Sequence, residues 1–197
     1  MKYSAGIVTN AFWLSETRKT AELLIAGKDL KQIRLLAQSE NIYQVKNETR
    51  ALRIANAIVQ RLESLPNVLM EKIANSDIGT AKLLILVSFM KTDLLFFEFM
   101  HEVYRPAILL GEYIITDRAI NTFFDEKKAQ SETVAKWIDT TINKLERCYL
   151  GILREAGLVK IENDKRKIII PHIDYNLRKQ LTENELTPYL NAVTGEA

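Results

Sequence analysis

The chain has 197 residues, of which 47% are hydrophobic and 26% charged, and its formal net charge is only +2. This length allows one large domain or two small ones, and the small net charge excludes a bulk electrostatic argument for nucleic acid. The single cysteine, Cys148, excludes an internal disulfide, and we expect a protein of the reducing cytoplasm that carries no signal peptide.

The positive charge is concentrated in two segments of the chain. Residues 1–66 carry 10 Lys/Arg against 6 Asp/Glu, and residues 117–171 carry 11 against 9. The two remaining segments each have two more acidic than basic residues. This distribution permits a basic surface with two separate parts.

The first 65 residues predict three helices joined by short connections. Gly27 is a typical helix end, and Asp29 and Asn47 are good N-caps for the second and third helices. The third helix has an apolar side at helical spacing, formed by Ala51, Ile54, Ala55, Ile58 and Leu62. Its candidate phosphate-binding cations, on a different side, are Lys46, Arg50, Arg53 and Arg61. The pattern fits a helix-turn-helix unit, and the alternative is an ordinary three-helix bundle with a solvated basic face. The arginines favour the former, because arginine is the better residue for bidentate phosphate contacts.

The middle of the chain reads as a helical core that follows a domain boundary at Leu65–Pro66. We therefore expect an N-terminal domain of residues 1–65 and a C-terminal helical domain of residues 66–197. Core helices are predicted at 67–75, 78–91, 94–104 and 107–114. The longest uncharged stretch, Leu83 to Met90, is far shorter than the ~20 residues that a membrane span needs.

Residues 131–157 predict one long amphipathic helix. Ser131 is a suitable N-cap and Gly157 a suitable end. The apolar side consists of Val134, Trp137, Ile138, Ile142, Leu145, Tyr149, Ile152 and Leu153. The candidate DNA-binding cations on another side are Lys136, Lys144 and Arg147.

A short basic hairpin is predicted directly after this helix. Two β-like runs, at 158–162 and 167–170, flank the turn Asn163 to Arg166. The order helix, glycine, strand, basic turn, strand is typical of a winged helix, here the element 117–171, in which the wing touches phosphates. Its candidate cations are Lys165, Arg166 and Lys167. The alternative is a helix packed on a hairpin with an ordinary solvated turn.

No catalytic, cofactor or metal site is predicted. The seven glycines form no phosphate-binding loop, and one cysteine with two distant histidines cannot form a zinc site. Glu98 and His101 have the spacing of one half of a di-iron site, but the other half is missing. We therefore predict a protein that is not an enzyme.

Four short motifs of the chain are Tyr3-Ser4-Ala5-Gly6, Glu16-Thr17, Asn41-Ile42-Tyr43-Gln44 and Arg61-Leu62. In these motifs the chain resembles the BrxA family of bacteriophage-exclusion (BREX) defence systems. The resemblance covers essentially the whole chain, although the motifs are short and not catalytic. It implies a cytoplasmic bacterial protein of a defence system, an all-helical fold that has been compared with an RNA-binding antitermination factor, and no catalytic residues.

Together these observations predict a mainly α protein with two helical parts, helix-turn-helix-like and winged-helix-like, and one small β-hairpin. The predicted function is non-catalytic binding of double-stranded DNA through phosphate contacts, with other BREX proteins as further partners. RNA is the less favoured nucleic acid, because A-form RNA closes its major groove to side chains. The alternatives are a protein–protein adaptor of the defence complex, docking through the apolar middle and the acidic 174–197 region, and an antitermination-like RNA-binding factor.

Overall fold

Helices make up most of the chain, of which the computed structural model describes residues 2–196. The helices are α1 (Leu14–Ile25), α2 (Leu30–Ser39), α3 (Glu48–Glu63), α4 (Asn67–Asn75), α5 (Ile78–Thr92), α6 (Leu94–Phe99), α7 (Arg105–Leu109), α8 (Asp117–Gln130), α9 (Glu132–Ala135), α10 (Asp139–Ala156), α11 (Tyr175–Glu183) and α12 (Thr187–Thr194). A 3-10 turn (Gly6–Thr9) precedes α1, and a π-helical turn (Met100–Tyr104) joins α6 to α7. The strands are β1 (Ile114–Ile115), β2 (Val159–Glu162) and β3 (Lys165–Ile168). The predicted mainly α class with a small hairpin is confirmed.

Contacts group the chain into two compact units. One unit is Phe12–Ser88, and the other combines Met1–Ala11 with Phe89–Ala197. The predicted boundary at Leu65–Pro66 falls inside the first unit, because α4 packs on α1 there. The Arg18 guanidinium reinforces this packing, since it donates to the carbonyl oxygens of Ala74 and Ser76 at 2.8 and 3.0 Å.

In the Phe12–Ser88 unit, the caps predicted for α2 and α3 and the apolar stripe predicted for α3 are present. The Asp29 carboxylate accepts from the Gln32 amide, and the Asn47 side chain accepts from the Arg50 amide. These contacts satisfy amides of the first turn that have no partner within the helix. The stripe predicted for α3 is buried along its length. Local sequence signals therefore determine where α2 and α3 begin and which side of α3 is buried.

The apolar run in the middle of the chain is core. Residues 83–90 of α5 are all buried. None of the helices within residues 2–196 is long and apolar enough to cross a membrane.

The second unit has an aromatic centre around Tyr149 of α10. The Tyr149 ring lies 5.0 Å from Phe96 of α6 and 5.2 Å from Phe99, measured between centroids. Phe124 of α8 stacks on it at 6.3 Å. Such ring pairs add to the free energy gained from apolar burial. They position α10 against α6 and α8 and leave its opposite side to solvent.

The helix predicted from Ser131 to Gly157 is broken in two. Ser131 caps the short α9, and α10 begins only at Asp139, after Ile138 adopts an extended conformation. Ile138 is 68% exposed, so its predicted place on the buried stripe is wrong. The apolar spacing continues through the break, which is why periodicity alone did not reveal it.

The hairpin belongs to a three-stranded antiparallel sheet with the order β1-β3-β2. Its turn is only Asn163-Asp164, and both residues have positive φ (51° and 56°), as tight hairpin turns require. Lys165 and Arg166, predicted in the turn, are therefore strand residues. The strand β1 was not predicted: Ile114 was placed at the end of the helix 107–114, and Ile115 was in no element. Two residues show too little periodicity for a strand to be recognised.

Candidate nucleic-acid interface

The exposed side of α10 carries the clearest cationic surface of the second unit. Leu145, Tyr149 and Leu153 are buried, and Lys144 and Arg147 point to the other side and are exposed. Within residues 2–196 neither cation has an ion pair or a side-chain hydrogen bond. Both can therefore bind an external anion without first breaking an internal contact.

Lys136 is exposed but does not share this surface as predicted. It ends α9 in the break that precedes α10, so it is no longer in helical register with Lys144. The predicted set of three cations on one helix face is thus reduced to two on α10 and one in the preceding turn.

The α10 surface also includes Arg154 and Gly151, two residues that the sequence analysis did not select. Arg154 is exposed and lies seven residues, about two turns, beyond Arg147. Gly151 lies between them, and a Cβ built on it would meet no atom within 4 Å. A glycine at a helix interior costs about 1 kcal/mol relative to alanine. The helical spacing of positions 147, 151 and 154 is the sequence signal that could have identified these two residues.

The three predicted cations of the hairpin have three different environments. Arg166 pairs with Asp117 at the start of α8 and, at 3.4 Å, with Glu146 of α10. Lys167 pairs with Glu162 at 2.9 Å, and Lys165 is exposed without an ion pair in the described part of the chain. Arg166 therefore links the sheet to α8 and α10 through ion pairs. Its position does not support the predicted role in phosphate binding.

The pleat of the sheet separates these residues further. In β3, Arg166 and the buried Ile168 lie on one face, towards the helices. Lys165 and Lys167 lie on the opposite, outer face, with Lys160 paired across from Lys167. Hydrogen bonds from Lys167 and Lys160 lower the pKa of Glu162, the carboxylate of this outer face. The hairpin thus presents a partly neutralised lysine surface.

On α3, three of the four predicted cations are exposed and the fourth is not. Lys46, Arg50 and Arg53 lie on the surface. The Arg61 side chain is buried at 3% exposure, with its guanidinium 5.6 Å from the centroid of the Trp13 ring. Desolvation lowers the pKa of Arg61 to about 9. Arg61 is therefore a packing residue, and its burial does not support the predicted contact with nucleic acid.

A separate charge cluster lies inside the second unit. Lys127 is only 3% exposed and its ammonium contacts Glu98 at 2.8 Å and Glu102 at 2.7 Å. Burial alone would lower the pKa of Lys127, but hydrogen bonds to the two carboxylates raise it overall. The Tyr3 hydroxyl donates to Glu98 at 2.8 Å, which ties the N-terminal arm to this cluster.

These contacts account for Glu98, which the sequence paired with His101. Residues 2–196 contain no group of three or more His, Cys, Asp or Glu side chains placed to hold a metal ion.

The Cys148 thiol donates to the Ile7 carbonyl at 3.4 Å, and desolvation raises its pKa to about 11.

Comparison with known proteins identifies the family. The family model described as BrxA matches residues 1–185. The chain belongs to the BrxA family. Its predicted membership is confirmed, and with it the assignment to a BREX phage-defence system.

Two curated relatives cover 98% and 80% of the chain. A BREX protein BrxA of Bacillus cereus is 37% identical over 194 residues, which is 98% of this chain and 97% of the relative. A BREX protein BrxA of Paramagnetospirillum magneticum is 24% identical over 158 residues, which is 80% of this chain and 79% of the relative. The crystal structure of an uncharacterized protein from Magnetospirillum magneticum matches with a TM-score of 0.85 over 99% of this chain and 100% of that chain. Its sequence identity is 21%, so this likeness shows the fold alone.

Proposed function

We propose that this protein is a non-catalytic, cytoplasmic component of its BREX system that binds double-stranded DNA. The observation that carries the proposal is the exposed α10 surface, on which Lys144, Arg147 and Arg154 have no internal partner within residues 2–196. Free cations on one helix face are what phosphate neutralisation requires.

The order of elements around α10 supports a winged-helix reading. The chain runs from helix α7 through β1, α8, the short α9 and α10 to the β2–β3 hairpin, and the central strand is β3. In a winged helix this order makes α10 the recognition helix, whose exposed side enters the major groove. The hairpin then acts as a short wing, with Lys165 next to its two-residue turn.

A second basic surface lies in the Phe12–Ser88 unit. Lys46, Arg50 and Arg53 are exposed at and near the start of α3. Arg50 and Arg53 are three residues apart and therefore neighbours on the helix surface. We propose that they bind backbone phosphates and contribute affinity without reading sequence.

Double-stranded DNA is favoured over RNA on geometric grounds. A helix fits the major groove of B-form DNA, and A-form RNA has a groove too deep and narrow for it. No aromatic residue lies on the exposed side of α10 among the cations, whereas single-strand binding relies on base stacking.

The decisive experiment is a titration of labelled duplex DNA at several salt concentrations. If about six phosphates are contacted, affinity falls about a thousandfold between 50 and 200 mM salt. A flat salt response, or no binding at 50 mM salt, overturns the proposal. Duplex RNA of the same sequence, titrated in parallel, tests the antitermination-like alternative, which requires RNA to bind more tightly than DNA.

One observation favours the adaptor function as a second candidate. Leu109 and Leu110 at the end of α7 and Tyr113 before β1 are all exposed, and Leu110 is 73% exposed. Adjacent exposed apolar residues are typical of protein contact sites. By contrast, the apolar run 83–90, which the adaptor hypothesis used, is buried and is not available. Leu110→Asp should abolish association with a BREX partner and leave duplex affinity unchanged if both functions exist.

A further inference from the structure

On the α10 surface, the packing of the fold does not explain why position 151 is a glycine. A glycine inside a helix usually allows a neighbouring element to approach closely. Here, apart from its chain neighbours and the backbone of its own helix, the position that a Cβ would take has no atom within 4 Å, and α10 continues without interruption from Asp139 to Ala156. Neither close packing nor a helix break explains the glycine, so the space above it is open to a molecule from outside.

Two arginines stand on either side of this opening. Arg147 lies one turn before Gly151 and Arg154 one turn after it, and both are exposed. Their Cα atoms are about 10 Å apart along the helix axis, so the long side chains can converge above the glycine. Within residues 2–196 neither guanidinium has a carboxylate or carbonyl partner.

Cations predominate along this stripe. Thr140, Lys144, Arg147, Gly151 and Arg154 recur at steps of three and four residues, which places them on one side of the helix. Asp139 and Glu146 lie off this line, and Glu146 is already paired with Arg166. Glu155 is exposed and lies one turn after Gly151, so an anion at Gly151 would meet two guanidinium groups and one carboxylate.

We propose that Gly151 is a seat for one backbone phosphate of duplex DNA, clamped between Arg147 and Arg154. The missing side chain lets the phosphate reach the surface of the helix backbone, where both guanidinium groups can donate to its oxygens at once. The N-terminal half of α10, with Thr140, Asn143 and Lys144, is thereby held at the floor of the major groove. This inference rests on the proposed DNA binding and deepens it by assigning the residues that set the docking depth.

The test compares Gly151→Ala and Gly151→Leu with the wild-type protein in thermal unfolding and duplex binding. Alanine removes the helix cost of glycine and meets no atom, so the melting temperature should rise by about 2–4 °C. Duplex affinity should nevertheless fall, about threefold to tenfold for alanine and further for leucine, as a charge-assisted contact is weakened. A variant that is more stable but binds less well cannot be explained by partial unfolding.

Thr182→Leu is the control for a leucine on an exposed helix surface, because position 182 of α11 is exposed and lies outside the proposed binding surfaces. It should leave duplex affinity within about twofold of the wild-type value. Arg147→Ala supplies a second readout. It should weaken binding of the wild type by about tenfold but change binding of Gly151→Leu little, because the phosphate is already displaced.

The outcomes distinguish failure of the proposed phosphate site at Gly151 from failure of the proposed DNA binding. If the wild type binds duplex with a steep salt dependence but Gly151→Ala and Gly151→Leu bind equally well, the seat is overturned and DNA binding stands. Additive losses from Gly151→Leu and Arg147→Ala also overturn the seat. If the wild type does not bind duplex at 50 mM salt, the seat and the proposed function are both overturned.

Discussion

The two basic helices, α3 and α10, differ in how much of their predicted cationic face reaches solvent. In α3, Arg61 lies 11 residues, about three turns, after Arg50 and hence on the same side. Trp13 nevertheless covers Arg61, and only the first half of the face stays open. In α10, both Lys144 and Arg147 are exposed, and Arg154 extends their surface. Periodicity identifies a face, but neighbouring elements decide how much of it can bind a ligand.

The largest expected effect is on α10. Lys144→Ala with Arg147→Ala should reduce duplex affinity about a hundredfold at low salt, since each charge-assisted contact contributes about 1.5–3 kcal/mol. The slope of log affinity against log salt should fall by about two. Fluorescence anisotropy with labelled duplex measures both values.

The matched variant on α3 is Arg50→Ala with Arg53→Ala. If the two surfaces contribute equally, this pair lowers affinity and salt slope by the same amounts. A smaller effect would establish α10 as the principal surface. No effect from either pair would contradict phosphate binding by both helices.

Removing Arg61 should affect folding and not binding. Arg61→Ala deletes a buried side chain that packs against Trp13, and it should lower the free energy of unfolding by about 2 kcal/mol. The salt slope of duplex binding should remain that of the wild type. Urea unfolding and the salt titration measure the two properties, and a changed slope would contradict the assignment of Arg61 to packing.

Asp93 allows a test of how pH affects the stability of the unit that contains α10. Burial raises the pKa of Asp93 to about 6, although hydrogen bonds from the Phe96 and Leu95 amides oppose the shift. Because the folded pKa lies above the unfolded value of about 3.9, the folded state binds more protons, and this group costs stability as pH rises from about 4 to 6.

Asp93→Asn should therefore raise stability at pH 7 by about 1–3 kcal/mol. Asparagine retains the N-cap contact to Phe96. The difference between variant and wild type should shrink towards zero at pH 4. A difference that is independent of pH between 4 and 7 would show that the Asp93 charge is not the cause.

The smallest effects concern the hairpin, where substitutions of the adjacent Lys165 and Arg166 should affect different properties, DNA binding and stability respectively. Lys165→Ala should lower the salt slope by about one and leave stability unchanged. Arg166→Ala should leave the slope unchanged and destabilise by about 1 kcal/mol, because the ion pairs with Asp117 and Glu146 are partly exposed. If Arg166→Ala reduces the slope and Lys165→Ala does not, the assignment of the two faces is reversed.

Much of the fold could be predicted because its signals are local. The caps Asp29 and Asn47, the buried stripe of α3 and the ends of α4 all follow from residues within one or two turns. The failures arose where local signals were short or misleading. The strand β1 is too short to show a period, and the α9–α10 break interrupts a continuous apolar spacing.

The candidate site was predicted less completely than the fold. Lys144 and Arg147 were found because a helix face is visible in the spacing. Arg61 and Arg166 were misplaced because their environments depend on Trp13 and on Asp117 and Glu146, which are 20 to 49 residues away in the chain.

The sequence by itself determined the helical class, the family and the positions where cations are concentrated, since composition, caps and period act over short distances. Only the tertiary structure decided which cations remain free, because a guanidinium can reach a solvent anion, a carboxylate or an aromatic ring with similar ease. The choice among these partners is made by chain segments that meet only after folding. The open space above Gly151 likewise became visible only once its neighbours were in place.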